Sequence, residues 1–309
     1  MKKKNVFISG IILVVEEDKK YLSSCISSLH QSALCANIEI KFIIVLNGTS
    51  EANINLDPNL KVRFIKNRDN QGFAKGINIG SRYVESDWFF IINPDTIAKK
   101  NLLKNLIEYT SIKNVAIIAP KILTDEDKLE YTILPEVNLK NIFLEQTYVY
   151  KLFPSHFEHS FSNRKLYMRV KNISAVSGVC MLIRMRPFHD VKGFDENFFL
   201  YFEDLDLCKR FQSLGLKIKY TPSAEAIHYE HQSFHGEKNG KIYIRSMKYY
   251  LRKYYSTAYV YICFIILFWG FSIRLVVYSV LILMSRTHWF HKKAKIRYLA
   301  EAISHLFLS

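Results

Sequence analysis

Trp88-Phe89-Phe90-Ile91-Ile92 runs directly into Asn93-Pro94-Asp95-Thr96, and this junction between an apolar run and a polar tetrapeptide is the strongest architectural signal in the chain. A short, wholly apolar run is typical of a parallel strand that is buried on both faces. The proline ends the strand, so the Asp95 carboxylate comes at the carboxyl edge of the sheet, where open α/β sheets bind ligands. A carboxylate there suits a hard divalent cation that bridges phosphates; the alternative is a cap for a helix over Ile97–Tyr109.

Strand-like and helix-like segments alternate along the chain around this junction, which favours the cation site over the cap. The strand-like segments are Val6–Val15, Ile38–Leu46, Lys61–Ile65, Val115–Ala119, Val176–Ile183 and Ile218–Tyr220. Apolar residues at helical spacing follow the first strand, at Leu22, Cys25, Ile26 and Leu29, and recur over Leu205–Leu214. This alternation predicts an α/β fold with a mostly parallel central sheet flanked by helices.

Two further segments place small and polar residues near the same edge of the sheet. Asn47-Gly48-Thr49-Ser50 follows the second strand, and the segment that begins at Asn70 contains Gly72, Gly76 and Gly80 at a spacing of four. Such glycines let a helix approach either a neighbouring strand or a ligand closely. Their order does not match the G-x-G-x-x-G loop of dinucleotide-binding proteins, so close packing and ligand binding both remain open.

An acidic cluster follows an aromatic run in Phe198-Phe199-Leu200-Tyr201-Phe202-Glu203-Asp204-Leu205-Asp206. Carboxylates at the start of an amphipathic helix are stabilised by free backbone N–H groups and by the helix dipole, which accounts for them as helix caps. A carboxylate held beside aromatic rings can instead have its pKa tuned for proton abstraction. The local sequence alone favours the cap.

Two histidines, His228 and His231, follow the last strand-like segment. An imidazole that lies near carboxylates is a candidate ligand for a divalent metal. An exposed histidine without a metal is the commoner case, and the local sequence leaves both alternatives open.

Positive charge is concentrated near the end of the chain. From Glu237 onward, twelve Lys and Arg stand against two Glu, which supplies +10 of the net charge of +15. These basic residues bracket an apolar span, so an anionic lipid surface fits them better than nucleic acid does. The five cysteines have no paired or metal-binding spacing, which favours a reducing, cytosolic compartment.

The apolar span Tyr259–Met284 is 26 residues long, which is enough to cross a bilayer as one helix. Arg274 near its middle is costly in hydrocarbon, and basic residues on both flanks suit the cytoplasmic leaflet on both sides. Two alternatives follow: a single crossing, or a shallow hairpin around Gly270 that lies in the membrane interface. We therefore predict a boundary between residues 1–235 and a membrane-associated helical region over residues 236–309.

Taken in order, these segments resemble glycosyltransferase family 2, and more narrowly its rhamnosyltransferase-like members of bacterial surface polysaccharide assembly. The resemblance covers about Val6 to Ser233 and rests on Asn47-Gly48-Thr49-Ser50, Asn70–Gly80, Asn93-Pro94-Asp95-Thr96, Ser177-Gly178, Gly193-Phe194-Asp195-Glu196, Tyr201–Leu207 and His228. It implies a GT-A fold, whose sheet is Rossmann-like, for residues 1–235. It also implies a nucleotide-sugar donor, a divalent metal (Mg²⁺ or Mn²⁺) and inversion at the anomeric carbon.

The resemblance also assigns roles to individual residues. Asp204 matches the family's general base, with Glu203 as its neighbour, whereas Asp206 is left as a structural cap. Asp95 and His228 match the metal ligands. Contacts to the nucleotide sugar are implied for Asn47, Asn70, Gly72, Phe73, Gly76, Asn78, Asn93, Ser177 and Gly178.

The reaction implied by the resemblance moves a single sugar, rhamnose from a dTDP donor, onto a lipid-linked glycan at the cytoplasmic face of the bacterial inner membrane. Two positions depart from the family pattern. The first strand runs into Val14-Val15-Glu16 where relatives often have Thr-Tyr-Asn, and Leu46 stands before Asn47 where they usually have Asp. Because both positions face the nucleoside in relatives, the competing hypothesis is a non-catalytic nucleotide- or glycan-binding subunit of a membrane assembly.

Overall fold

The computed structural model of the chain describes residues 7–52, 54–147, 164–229, 239–284 and 289–306. These residues form two compact units. The first unit contains the described residues up to 134, together with 164–199 and 203–229. The second contains 135–147, 200–202 and the described residues from 239 onward.

The first unit is built on one large sheet. The strands of this unit are β1 (Phe7–Val14), β2 (Glu39–Asn47), β3 (Val62–Asn67), β4 (Trp88–Ile92), β5 (Thr96–Ala98), β6 (Val115–Thr124), β7 (Leu129–Glu130), β8 (Ile133–Leu134), β9 (Lys171–Ile173), β10 (Ala175–Val176), β11 (Cys180–Arg184) and β12 (Lys217–His228). Strands β8 and β10 pair with each other in a separate two-stranded sheet, and the other ten belong to the large sheet. The helices of this unit are α1 (Lys19–Ala36), α2 (Gly72–Ser81), α3 (Leu102–Ile107), α5 (Met185–Asp190) and α6 (Glu203–Ser213), and the second unit has α4 (Leu139–Thr147), α7 (Asn239–Tyr254), α8 (Thr257–Met284) and α9 (Trp289–Leu306).

The strand order of the large sheet is β3-β2-β1-β4-β11-β6-β12-β5. The first four strands run parallel to one another, and β6 is parallel to β12. Strand β11 is antiparallel to both of its neighbours, β4 and β6. The prediction of a mostly parallel sheet flanked by helices is confirmed, with an antiparallel strand inserted at its centre.

Both faces of the sheet are covered by helices, as the uniformly apolar strands require. On β1, Ile8 and Ile12 pack in the cluster that contains the buried residues of α1 and α3. Ile11 points to the opposite face and packs in the cluster that contains residues of α2, α5 and α6. Each fully buried side chain of this size contributes about 1.5–3 kcal/mol, so burial on both faces stabilises the sheet.

Three elements differ from the sequence prediction. The strand predicted over Val176–Ile183 is split into β10 and β11, which belong to different sheets. The helix predicted over Ile97–Tyr109 is wrong in its first turn, because Thr96–Ala98 pairs with β12 and the helix covers only Leu102–Ile107. Strand β12 extends far beyond the predicted Ile218–Tyr220 and reaches His228, passing a break in register between Thr221 and Glu225. The proline after Thr221 lies within this break, where no ladder hydrogen bond is needed from it, since a proline cannot donate to a sheet ladder.

In the second unit, α8 runs without interruption through Gly270, so of the two alternatives left open by the sequence the hairpin at this glycine is wrong. The glycine has a packing role instead: a Cβ there would come within 2.6 Å of the Gln146 Cβ on α4. The sequence prediction placed residues 135–147 with residues 1–235, whereas the structure groups them with the C-terminal helices. Of the described helices, α8 alone is long and apolar enough to cross a membrane by length and composition.

Candidate active site

Two hydrogen bonds bring the Asn93-Pro94-Asp95 segment and the acidic cluster to neighbouring strand ends. The Asn93 backbone N–H donates to the Val179 carbonyl oxygen at 2.9 Å, which ties the end of β4 to the start of β11. The next residue back along the chain, Gly178, donates its N–H to Asp204 Oδ2 at 3.2 Å. Segments that are far apart in sequence thus meet at one edge of the sheet.

Asp204 lies in the first turn of α6, and both of its carboxylate oxygens accept backbone hydrogen bonds. Oδ1 accepts the Leu205 N–H at 2.7 Å and Oδ2 accepts the Gly178 N–H. Burial raises the pKa of Asp204 to about 6, although these N–H donors oppose the shift. A carboxylate that is ionised at neutral pH but still basic is suited to accepting a proton.

The other two acids of the cluster have different environments. Glu203 is buried, and desolvation, reinforced by the charge of Asp204, raises its pKa well above the usual range. Asp206 is fully buried and accepts a hydrogen bond from Arg210 Nε at 2.7 Å. Arg210 also donates to the Val191 carbonyl oxygen, so Asp206 has a structural role as one half of a partly buried ion pair, and its role as a helix cap stays a prediction.

His228 lies between two carboxylates, one of which the sequence did not reveal. Its Nε2 is 3.3 Å from Asp95 Oδ1, and its Nδ1 is 2.9 Å from Glu130 Oε2. Pairing of β12 with β5 sets His228 opposite Thr96, and the Tyr229 N–H donates to the Asp95 carbonyl oxygen. Burial disfavours a charged imidazole, but the hydrogen bonds to Asp95 and Glu130 outweigh it and raise the pKa of His228 to about 10.

The Asp95 and His228 side chains fit a hard divalent cation as a pair. Carboxylate oxygen and imidazole nitrogen are ligands that Mn²⁺ accepts. Two neighbouring ligand atoms of an octahedral ion with 2.0–2.1 Å bonds are about 3 Å apart, close to the 3.3 Å between Asp95 Oδ1 and His228 Nε2. Among the described residues no group of three His, Cys, Asp or Glu could hold an ion by itself, so phosphates and water would complete the coordination.

Asn47, at the end of β2, uses all of its hydrogen-bonding capacity within the chain. Its Nδ2 donates to Asn70 Oδ1 and to the Gly72 carbonyl oxygen, at 2.8 and 3.3 Å. Its Oδ1 accepts from Asn67 Nδ2 and the Gln71 N–H, at 3.1 and 3.0 Å. An Asn side chain offers two donors and two acceptor positions, so Asn47 holds the junction of β2, β3 and α2, and its predicted donor contact stays a prediction.

Close packing accounts for the glycines of α2. Gly72 has φ +79°, and a Cβ there would lie 2.2 Å from the Phe199 carbonyl oxygen. A Cβ on Gly76 would lie 2.4 Å from the Leu13 side chain on β1. Of the two alternatives left open by the sequence, the structure supports the packing role for both residues.

Phe73 and Asn78 connect α2 to other segments of the site. The Phe73 ring contacts the Phe194 ring edge to face and would lie 3.0 Å from a Cβ on Gly178. Asn78 donates to the Phe194 carbonyl oxygen and accepts from the Phe194 N–H, at 2.8 and 2.9 Å. Ser177 lies beside Gly178 and donates its N–H to the Thr132 carbonyl oxygen.

The two positions that depart from the family pattern have different surroundings. The Glu16 side chain lies at the end of β1, where it accepts hydrogen bonds from Lys19 and Thr49 that lower its pKa. Leu46 is fully buried in the core cluster that contains α1, which gives this leucine a packing role. His231, the alternative to His228, lies outside the described residues.

A family model described as "Glycosyltransferase like family 2" matches residues 11–247. A rhamnosyltransferase, WbbL, of Escherichia coli K12 is 28% identical over 167 residues, which cover 52% of this chain and 61% of the relative. An N-acetylglucosaminyl-diphospho-decaprenol L-rhamnosyltransferase of Mycobacterium tuberculosis is 26% identical, over 60% of this chain and 64% of the relative. The chain thus spans less than two thirds of the length of each of these relatives.

Solved structures show the same fold. A mannosyltransferase of Pyrobaculum calidifontis, in complex with GDP-mannose and Mn²⁺, superposes with a TM-score of 0.56 at 9% identity and covers 97% of this chain and 87% of its own. GalNAc-T7 with UDP, GalNAc and Mn²⁺ also gives a TM-score of 0.56, at 13% identity, over 80% of this chain and 48% of its own. Both likenesses show the GT-A fold of the chain.

Proposed function

This chain belongs to the glycosyltransferase-like family 2, and from that premise we propose that it is an inverting glycosyltransferase that moves one sugar from a nucleotide sugar to a lipid-linked glycan. The observation that carries the proposal is the placement of Asp204. Its carboxylate is fixed by the Gly178 and Leu205 N–H groups, and the residue after Gly178 is bonded to the Asn93-Pro94-Asp95 segment. This arrangement supports the assignment of Asp204 as the proton acceptor next to the segment proposed to bind diphosphate.

The proposed reaction needs a base because an acceptor hydroxyl is a weak nucleophile. As the hydroxyl oxygen forms a bond to the anomeric carbon, its proton passes to Asp204. The bond from the anomeric carbon to the diphosphate oxygen breaks, and its electron pair leaves with the diphosphate. Attack opposite to the leaving group inverts the configuration at the anomeric carbon.

Asp95 and His228 would hold the divalent metal in this proposal. A bound divalent ion supplies Lewis-acid stabilisation of the negative charge that develops on the diphosphate. Without an ion both ring nitrogens of His228 carry a proton, so an ion held by Asp95 would displace the Nε2 proton, while Glu130 would keep accepting from Nδ1–H and fix the orientation of the ring. Glu130 is thus a positioning residue, which acts through His228.

The first donor and acceptor to test follow from the relatives. Two of them are rhamnosyltransferases, and the name of one specifies a diphospho-decaprenol-linked acceptor. We therefore propose dTDP-rhamnose as donor and a polyprenyl-diphosphate-linked sugar as acceptor. The proposed location is the cytoplasmic face of the bacterial inner membrane.

The proposal is tested by incubating the purified full-length chain with a panel of dTDP-, UDP- and GDP-sugars, Mg²⁺ or Mn²⁺, and a short polyprenyl-diphosphate acceptor. We expect one donor to give a glycosylated product with inverted anomeric configuration by NMR. Binding of a nucleotide sugar without transfer or hydrolysis, under every condition, would favour the non-catalytic binding subunit instead.

The rate of transfer should fall as pH falls through about 6. The base must be ionised to accept a proton, and burial raises the pKa of Asp204 to about 6. At pH 5 only about a tenth of the molecules would carry the ionised base, so kcat/KM should be roughly tenfold below its plateau. Initial rates between pH 4.5 and 8 measure this, and a flat profile down to pH 5 would contradict the assignment.

Glu130→Gln should weaken Mn²⁺ binding by about 10–100-fold, the usual cost of losing a carboxylate that orients a metal-binding histidine. Mn²⁺ binding in the presence of nucleoside diphosphate can be followed by electron paramagnetic resonance, without any turnover. Glu126→Gln is the matched control, because Glu126 lies in the same β6–β7 hairpin with a side chain that is 66% exposed. Equal Mn²⁺ affinities in Glu130→Gln and the parent would rule out the positioning role.

A further inference from the structure

Helix α8 has an apolar face that no described residue of the chain covers. Nine large apolar side chains on it are at least 40% exposed: Tyr261, Ile262, Ile265, Trp269, Ile273, Val276, Val277, Val280 and Leu281. They recur at helical spacing over about 30 Å of helix, at 1.5 Å per residue. We call this surface the α8 stripe.

The opposite face of α8 is packed within its own unit. Val260, Cys263, Phe264, Leu267 and Phe271 are all less than 5% exposed. Both faces of α8 are thus apolar, one packed against protein and one exposed, so lipid could cover the stripe on a helix that crosses the bilayer or on one that lies in its plane.

Polar groups of α4 contact α8 at its midpoint. Arg274 Nη2 donates to the Glu145 carbonyl oxygen at 2.7 Å, and Gln146 packs where Gly270 leaves room. Arg274 therefore faces protein, which removes the cost that the sequence assigned to it in a membrane. If α8 crossed a bilayer, Glu145 and Gln146 would be carried to the centre of the hydrocarbon, where polar groups are most costly.

Helix α9 places charges along the same length of α8. Lys295 Nζ lies 5.3 Å from the centre of the Tyr278 ring, so the two helices are adjacent at this level. Lys293, Lys295 and Arg297 are exposed. A crossing α8 would carry these charges towards the hydrocarbon, whereas a helix that lies flat leaves them at head-group level.

The charge of the unit matches an anionic surface. The described parts of α7 and α9 have seven exposed basic residues and one acidic residue, Glu301. The basic residues are Lys241, Arg245, Arg252, Lys253, Lys293, Lys295 and Arg297. Each basic residue near an anionic bilayer strengthens binding by about fivefold, so the stripe and the charges favour the same occupant.

We propose that α8 lies in the plane of an anionic phospholipid surface, with the α8 stripe immersed at the level of the acyl-chain boundary and without crossing the bilayer. This inference rests on the proposed function only in its choice of membrane, since a lipid-linked acceptor presents its diphosphate at the head-group level. Helices bound in this way lie about 5–10 Å into the boundary region.

The depth of the stripe tests the proposal. Single spin labels at Ile262, Trp269, Val276 and Val280, in a Cys35→Ser background, are measured on vesicles of phosphatidylcholine with 30% phosphatidylglycerol. An in-plane helix gives the same shallow depth at all four labels, as read by accessibility to oxygen and to a nickel chelate. A profile that is deepest at Trp269 and shallow at both ends would show a crossing helix and overturn the proposal.

A pair of charge variants tests the partner. Ile273→Glu and Val276→Glu should each reduce flotation with these vesicles by about tenfold or more, because each replaces an apolar side chain that would be immersed in lipid with a charged one. The matched controls, Leu34→Glu and Leu214→Glu, replace leucines of the first unit that are 57% exposed and should not change flotation. Unchanged flotation of the stripe variants would show that the stripe contacts another surface. A loss of dimers in these variants without vesicles would assign the stripe to a second copy of the chain.

The vesicles contain no sugar donor and no acceptor, so binding is read independently of catalysis. Binding with a flat depth profile in a chain that transfers no sugar would retain this inference and reject the proposed function. Transfer to a detergent-solubilised acceptor by a chain that does not bind vesicles would do the reverse.

Discussion

Asp204→Asn should reduce sugar transfer by about 10²–10⁴-fold, the usual contribution of a general base, while donor binding stays within about twofold of that of the parent. Asparagine keeps the shape of aspartate but cannot take up a proton at neutral pH. The base acts only on the acceptor hydroxyl, so the donor and its metal should still bind. Single-turnover transfer and donor titration by calorimetry measure the two effects separately.

The control for this variant is Asp190→Asn, which removes an exposed carboxylate from the end of α5 in the same unit. We expect its transfer rate to match the parent's. An Asp204→Asn chain that is folded, binds donor and still transfers sugar at the parental rate would show that another group accepts the proton. A loss of donor binding with unchanged kcat would instead assign Asp204 to the donor site.

Gly72→Ala should destabilise the first unit by about 2–5 kcal/mol and lower its Tm by about 5–15 °C. Two costs add at this position. The backbone has φ +79°, which is unfavourable for alanine, and the new Cβ would lie 2.2 Å from the Phe199 carbonyl oxygen. That carbonyl accepts the Phe73 N–H at 2.8 Å, so relief of the clash would break a hydrogen bond at the start of α2.

The control variant Gly215→Ala separates the cost of the backbone conformation from the cost of the steric clash. Gly215 has φ +73°, but a Cβ there would meet no atom within 4 Å. We expect this control to lose only about 1–2 kcal/mol, from backbone strain alone. Equal losses of Tm in the two variants would show that contact with Phe199 contributes nothing.

The alternation of strands and helices could be predicted from the sequence because buried parallel strands are uniformly apolar. Trp88–Ile92 was predicted with its observed bounds. The direction of a strand is not encoded in such a run, so nothing in Val176–Ile183 indicated that β11 runs antiparallel to both neighbours. The proline after Thr221 is an ordinary end-of-strand signal, and it concealed the continuation of β12 to His228.

Part of the candidate site could be predicted from the sequence for a related reason. Residues that directly follow buried strands meet at one edge, so Asp95 could be placed there from the sequence. Glu130 could not, because its contact with His228 joins residues 98 positions apart through a two-residue strand with no pattern of its own. The sequence also could not show that Asn47 uses all of its hydrogen-bonding groups within the chain, since the partners of a buried amide depend on tertiary contacts.

The hydrogen-bond network around Asn47 also affects how fast the side-chain amide of this residue is lost by deamidation. In an Asn-Gly pair the backbone nitrogen of the glycine can attack the asparagine side chain, which converts the amide into a carboxylate. In the folded chain the Gly48 N–H donates to the Asn67 carbonyl oxygen, and the Asn47 amide is held by its four hydrogen bonds. The unfolded chain loses both restraints, so each heating cycle should produce some molecules that are deamidated at Asn47. The new negative charge at a junction that is buried in the folded chain should keep these molecules from refolding. Deamidation of Asn47 should therefore depend on the time that the chain spends unfolded rather than on the age of the sample.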